Sequence, residues 1–330
     1  MKRALLLVVL LCVVVAGGWA LYRVLFPEDS GGDSGHGRDA AAAVASAPAA
    51  SDGGVALAPL AEDGGSVLAK AGIVDVRGLA QKRQPDGRWV AVAAGEQLTL
   101  DDAVRTLGGG AMLVRLGNAV QVRLTPHTEV TIRELTERAS RVRIEEGRIV
   151  AEVNPQGKTV LRVEAKGSQA TAEANSGSFS MISDGRGQVA VATSAGSVRL
   201  SAGGSAVEVP AGQAARVEGQ AAPTAPMEIP RALFLKVAAP QREIQRERET
   251  VISGTTTPGA LVRVGGQVAQ VDARGQFRVK VPLQEGTNKL DVQVTDVAGN
   301  ERQETIPPIV VDTREPAIKN TEVHWGGSDR

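Results

Sequence analysis

The side chains best suited to acid–base or metal chemistry stand too far apart in this sequence to act together. The three histidines are His36, His127 and His324, none at a zinc-ligand spacing from another. Glu145 and Glu146 are neighbours on a segment of strand-like alternation, so their carboxylates point to opposite faces and cannot flank one substrate as an acid–base pair. The run Asp296-Val297-Ala298-Gly299-Asn300 offers hard oxygens at a glycine turn. One carboxylate and one amide fall short of the about six to eight oxygens that calcium takes, so a hairpin turn is the expectation. Gly185-x-Gly187-x-x-Ala190 has the letters of a dinucleotide fingerprint but precedes a strand, with no helix to receive a pyrophosphate. No Gly-x-Ser-x-Gly elbow and no Walker-type phosphate loop occurs. The chain is therefore expected not to be an enzyme and to carry no catalytic residue, cofactor or metal site; its binding residues stay unassigned.

The elements that position these residues are short strands. Val120, Val122 and Leu124 alternate with polar residues, as do Val130 and Ile132, Val142 and Ile144, Ile149, Ala151 and Val153, Val189 and Val191, and Val198 and Leu200. That is the period of a half-buried strand. Turn residues bound the segments, among them Gly147, Asp184-Gly185 and Gly203-Gly204, and Pro85-Asp86-Gly87 predicts a hairpin before Trp89, itself expected in the core. Pro210-Ala211-Gly212 predicts another turn. So many closely spaced strands predict an all-β sandwich or solenoid-like domain over residues 66–218. Pro223, Pro226 and Pro230 mark residues 219–230 as a linker. A second set of alternating faces, from Val262 and Val264 to Val292 and Val294, with Pro258-Gly259 as a β-turn, predicts a β-sandwich over 231–313. Residues 314–330 form a polar tail.

The succession GEQLTLDDAVRTLGGGAMLVRLGNAVQVRLTPHTEVTI, IEEGRIVAEV, SGSFSM, GQVAVATSAGSVRL and VEVPAGQAARV resembles the FecR domain. The resemblance implies an all-β periplasmic module. The family's Asp-Gly turn is Gly117-Asn118 here, and its Gly-Thr-x-Phe signature reads Gly177-Ser178-Phe179. In the second domain, Ser253-Gly254, Pro258-Gly259-Ala260, Asp272, Gly275, Phe277, Glu285-Gly286, Asn288 and the Asp296 to Asn300 run resemble the bacterial Ig-like modules that include domain B of glucodextranase.

Residues 4–22 are uncharged, with Lys2 and Arg3 before them and Arg23 after. A run of about 20 apolar residues spans a bilayer, and the flanking charges place the N-terminus in the cytoplasm, so residues 1–26 are read as a transmembrane anchor with the bulk of the chain in the periplasm. The alternative is a signal peptide cleaved near Ala16-Gly17-Gly18, leaving a soluble periplasmic or secreted protein. Residues 27–65, rich in Ala, Gly and Ser, are expected to be a disordered tether. Cys12 is the single cysteine, so no intramolecular disulfide is available and stability must come from burial and strand pairing.

Thirty-seven basic residues balance 37 acidic ones, which excludes an electrostatic case for nucleic acid, and 2% aromatics exclude broad stacking platforms. The reading that fits is a non-catalytic, membrane-tethered cell-envelope protein whose β domains bind a protein or polysaccharide partner. A FecR-type regulator passing an outer-membrane receptor's state to a sigma factor is disfavoured, because only Met1, Lys2 and Arg3 precede the apolar run. A carbohydrate-binding accessory of a cell-wall enzyme would have to use Trp89 or Trp325, the tryptophans outside that run.

Overall fold

Alternating Val, Leu, Ile and Ala positions place one face of almost every strand in a core, and in the computed structural model the strands form two β-sandwiches. The structure describes residues 69–238 and 244–314; the expected anchor and tether, Cys12, His36, His324 and Trp325 lie outside the described residues. The all-β expectation holds for the described part, whose one helical element is the 3₁₀ turn Pro155–Gly157.

The first sandwich is organised around one long strand, Ala139–Val153. Its C-terminal part pairs with Val120–Leu124 on one side and Gly177–Ser183 on the other. That sheet continues through Ala111–Leu116, Ala71–Arg77 and Gln97–Leu98 one way, and through Gln188–Ala195, Gln213–Glu218 and Met227–Glu228 the other. The N-terminal part of the same strand pairs with Glu129–Leu135 and, in parallel, with Val160–Ala165. This second sheet runs out to Trp89–Ala91 through Ala103–Thr106 and Ala80–Arg83, and to Ser205–Pro210 through Thr171–Ala174 and Ser197–Ala202. The inner faces of both sheets meet in one buried cluster that includes Leu124, Ile132, Ile144, Ile149, Leu161, Phe179, Met181 and Leu200. Each fully buried side chain of this size contributes about 1.5–3 kcal/mol, which is how a chain without a disulfide holds together.

Gly147 is not the turn its composition predicted. The strand runs through it and changes sheets there, with φ at 107°. A Cβ at this position would stand 2.5 Å from the Cα of Thr128 and 2.7 Å from the carbonyl oxygen of His127, so the neighbouring loop lies directly on the backbone of the bend. Only glycine combines that conformation with that approach.

The second sandwich has a seven-stranded sheet in the order Leu235–Val237, Glu249–Thr256, Gln276–Pro282, Gln267–Val271, Leu261–Val264, Asp291–Thr295, Glu301–Thr305, and a small sheet of Ile244–Gln245, Ile309–Val311 and Gly286–Asn288. Ile252, Val262, Val264, Phe277, Val292 and Ile309 lie in its core. Within the stretch expected as a linker, Met227–Glu228 adds a short strand to the first sandwich, and Ile229 packs against a third buried cluster formed between the two sandwiches. The described residues belong to a single compact unit.

Candidate functional site

The outer face of the first sheet carries a patch of small residues between larger ones. Across its register, Arg148, Ile182, Ala190 and Arg216 stand in one row, and Val150, Ser180, Ala192 and Ala214 in the next. Ser180, Ala190, Ala192 and Ala214, the short side chains of these rows, leave room for Val297 of the second sandwich, which is buried against Ile182, Ala190, Ala192 and Ala214. The Val297 carbonyl accepts from Arg148 Nε at 3.2 Å and from the hydroxyl of Ser180. Gly259 and Gly299 let the second sandwich approach. A Cβ on Gly259 would meet Arg216 Cδ at 2.6 Å, and one on Gly299 would meet Arg148 Nη2 at 2.7 Å.

Polar contacts flank this centre on both sides. Arg263 Nη2 lies 2.6 Å from Glu146 Oε1 in an ion pair whose arginine is mostly buried, and 3.4 Å from the His127 carbonyl oxygen. Opposite, Arg186 Nη1 donates to the Val268 carbonyl at 3.1 Å and Gln188 Nε2 to that of Val271 at 2.7 Å. Three of these acceptors are backbone carbonyls of the second sandwich, whose positions are set by its strands and turns. The two sandwiches are thus held in one orientation by hydrogen-bond geometry as well as by apolar area.

The carboxylates behave as strand alternation requires. Glu146 turns to the second sandwich, while Glu145, a bulge residue with no cross-strand partner of its own, turns to the outer face of the second sheet. There it accepts from Arg143 Nη2 at 2.7 Å and Thr131 Oγ1 at 3.0 Å. Burial raises the Glu145 carboxyl, and the hydrogen bonds from Arg143 and Thr131 together with the charges of Arg143 and Lys166 outweigh it, so the group ends below its ordinary value. The Asp296 loop is a self-contained turn: Oδ1 accepts from the amides of Gly299 and Asn300, each at 2.8 Å, and Oδ2 from Asn300 Nδ2 at 2.8 Å. With the Asn300 amide aimed as a donor at the carboxylate, the loop is hydrogen-bonded as a hairpin and leaves both Asp296 oxygens occupied. Gly185 lies in the turn after Gly177–Ser183, and Asp184 Oδ1 takes the amides of Arg186 at 2.8 Å and Gln188 at 2.9 Å, leaving neither for a phosphate.

Trp89 is not a core residue. It lies half-buried on the edge strand Trp89–Ala91, its ring covered by the guanidinium of Arg105 at 4.1 Å and approached by that of Arg83 at 5.8 Å. Its face is therefore taken by cations of this chain.

Beside the clasp opens a cleft of about 540 Å³, lined among others by His127, Arg148, Arg263, Gln293, Glu301 and Arg302. His127 sits at its rim in the left-handed region, φ 54°. Burial and then Arg263 pull the imidazole below its ordinary value, and Glu146 opposes them. Burial likewise lowers Arg148, against the pull of Asp296 and Glu301. None of Arg148, Arg263, Gln293 or Arg302 was singled out in the sequence, where an arginine on an alternating strand reads as a solvated face.

Residues 102–199 match the family described as FecR protein, and residues 234–312 match glucodextranase, domain B. No curated protein matches the chain. Among solved structures, a provisionally assigned anti-sigma factor from Parabacteroides distasonis ATCC 8503 is 18% identical, over 38% of this chain and 59% of that one, with a TM-score of 0.34. The chain thus spans under two thirds of that protein's length. A second crystal structure of a provisionally assigned anti-sigma factor from the same organism gives 18%, 40% and 60% for the same measures, again at 0.34. A polysaccharide lyase aligns at 7% identity over 73% of this chain and 40% of that one, with a TM-score of 0.18. The chain carries a FecR-like β domain followed by an Ig-like domain of the glucodextranase B type.

Proposed function

We propose that this chain is a non-catalytic cell-envelope protein, tethered to the cytoplasmic membrane through residues 1–26, whose two β domains act outside that membrane as one rigid binding module. The observation that supports it is the clasp at Val297. A FecR-like and an Ig-like sandwich are fixed to each other by directed hydrogen bonds, and the polar side chains at their junction are spent on that fixation or face a cleft, with no nucleophile held by a base. A fixed pair of domains presents a composite surface that neither has alone, which suits recognition of a protein or polysaccharide partner.

Cell fractionation with mass spectrometry of the N-terminus, combined with a photoreactive residue at Val90 or Gln293, tests the reading. Expected are an intact N-terminal segment in the cytoplasmic-membrane fraction and crosslinks to an envelope component. A cytoplasmic chain without envelope adducts would overturn it. The FecR match over 102–199 also favours a signalling regulator. That second reading requires sigma-factor-dependent transcripts to change when the gene is deleted, and unchanged transcripts would remove it.

A further inference from the structure

One arginine at the junction of the sandwiches is treated differently from the others. Arg148, Arg186 and Arg263 each reach across it and donate to a backbone carbonyl, those of Val297, Val268 and His127. Arg216 stands in the same row of the first sheet as Arg148, yet its Nη1 is buried with no hydrogen-bond acceptor among the described residues. The backbone of Gly259 lies on its stem, which restricts how far the guanidinium can turn. A buried donor without a partner is costly, and native structures leave few of them.

Beside this arginine the apolar surface of the clasp continues into a pocket of about 110 Å³ whose walls include Ala190, Ala214, Met227, Ile229, Pro258 and Val297. A dry cavity of about 150 Å³ takes a benzene ring, so this space takes one aliphatic side chain of valine to leucine size. Met227 is half exposed, and so is Phe234, whose amide donates to Oγ1 of the lining Thr257 at 3.0 Å. Asp296 also lines the pocket, where its charge balances that of Arg216 and its oxygens are spent on their own turn. A balanced pair gives no preference for an anion; the acceptor that suits Nη1 here is a neutral carbonyl.

The chain's own loop supplies the pattern. Val297 lays an aliphatic side chain on Ala190 and Ala214 and gives its carbonyl to Arg148. The pocket offers both halves of that arrangement again, an aliphatic space and an arginine donor.

We infer that this pocket docks a segment of a partner protein, which seats one aliphatic side chain between Ala214, Met227 and Val297 and gives a backbone carbonyl to Arg216. The inference rests on the envelope-binding reading and makes the partner of that module a protein.

Methyl-resonance titration of the full chain in detergent, labelled at methionine, tests it. Met227 lines the pocket, whereas Met112 and Met181 are buried in the first core and serve as references. N-acetyl-leucine methylamide should shift Met227 and leave the references in place, and N-acetyl-glycine methylamide should bind about tenfold more weakly. Arg216→Met keeps the stem beneath Gly259 and removes the donors. It should weaken binding of the leucine amide about tenfold and leave the melting temperature unchanged or higher, because the buried donor it removes has no partner to lose. An unmoved Met227, equal binding of the glycine amide, full affinity in Arg216→Met, or a markedly lower melting temperature of that variant would each overturn the inference. Tighter binding of hexanoate than of the leucine amide would also overturn it, by making the pocket a site for an acyl chain. A chain found in the cytoplasmic membrane whose Met227 ignores the leucine amide removes the pocket proposal only. Binding of the amide by a chain found in the cytoplasm removes the envelope reading and leaves the pocket.

Discussion

At His127, three demands meet in one residue: a left-handed backbone, a carbonyl that accepts from Arg263, and an imidazole lining the cleft between the sandwiches. Burial first, then Arg263, keep the folded-state pKa below its ordinary value. The unfolded chain therefore binds more protons than the folded one in the interval below about 6.5, so this residue's contribution is complete above that pH and is lost as pH falls through the interval. The urea midpoint should fall between about pH 7.5 and about pH 5.5, and His127→Gln should show a smaller fall; an identical fall in both would place the titration elsewhere. Trp89 shows how a residue's role depends on neighbours far along the chain. A lone Trp in an alternating segment reads as core, but Arg105, which covers its ring, lies two strands away in the sheet, beyond what local spacing can convey.

The strand is the scale at which most of the fold was legible. Val120, Val122 and Leu124, or Val198 and Leu200, point inward as their alternation requires, and the turns at Pro85-Asp86-Gly87 and Pro258-Gly259 are present. Gly147 was misread because a glycine between two alternating runs has the same letters whether the chain reverses or bends and continues. What decides is the loop at Thr128 lying across it, a contact between residues that are distant in sequence. Gly147→Ala should cost about 3 kcal/mol, through a left-handed backbone and a collision with backbone atoms, and urea denaturation would measure it. A loss under about 1 kcal/mol would mean that the strand can straighten. The patch Ala190, Ala192 and Ala214 was equally hidden, since small residues on an outward face look neutral until a partner loop is seated on them.

For the whole molecule, the clasp predicts shared cooperativity. Ala190→Lys would set a third cation between Arg148 and Arg216 under the Val297 loop, at a cost of about 2–4 kcal/mol. Scanning calorimetry should then show the single transition of the parent chain split into two; one unsplit peak at the parent temperature would mean that the Val297 contact does not carry the coupling. The long strand Ala139–Val153 has a different consequence, one for assembly. It pairs with Val120–Leu124 and Glu129–Leu135 from before it and with Val160–Ala165 and Gly177–Ser183 from after it. Neither half of the first sandwich can complete a sheet without it. A backbone cut at Lys158, just beyond that strand, should therefore leave the first sandwich unformed in either piece alone, the second sandwich keeping its own core, and the first should be regained only when the pieces are mixed, with the strand serving as the template on which both halves are laid.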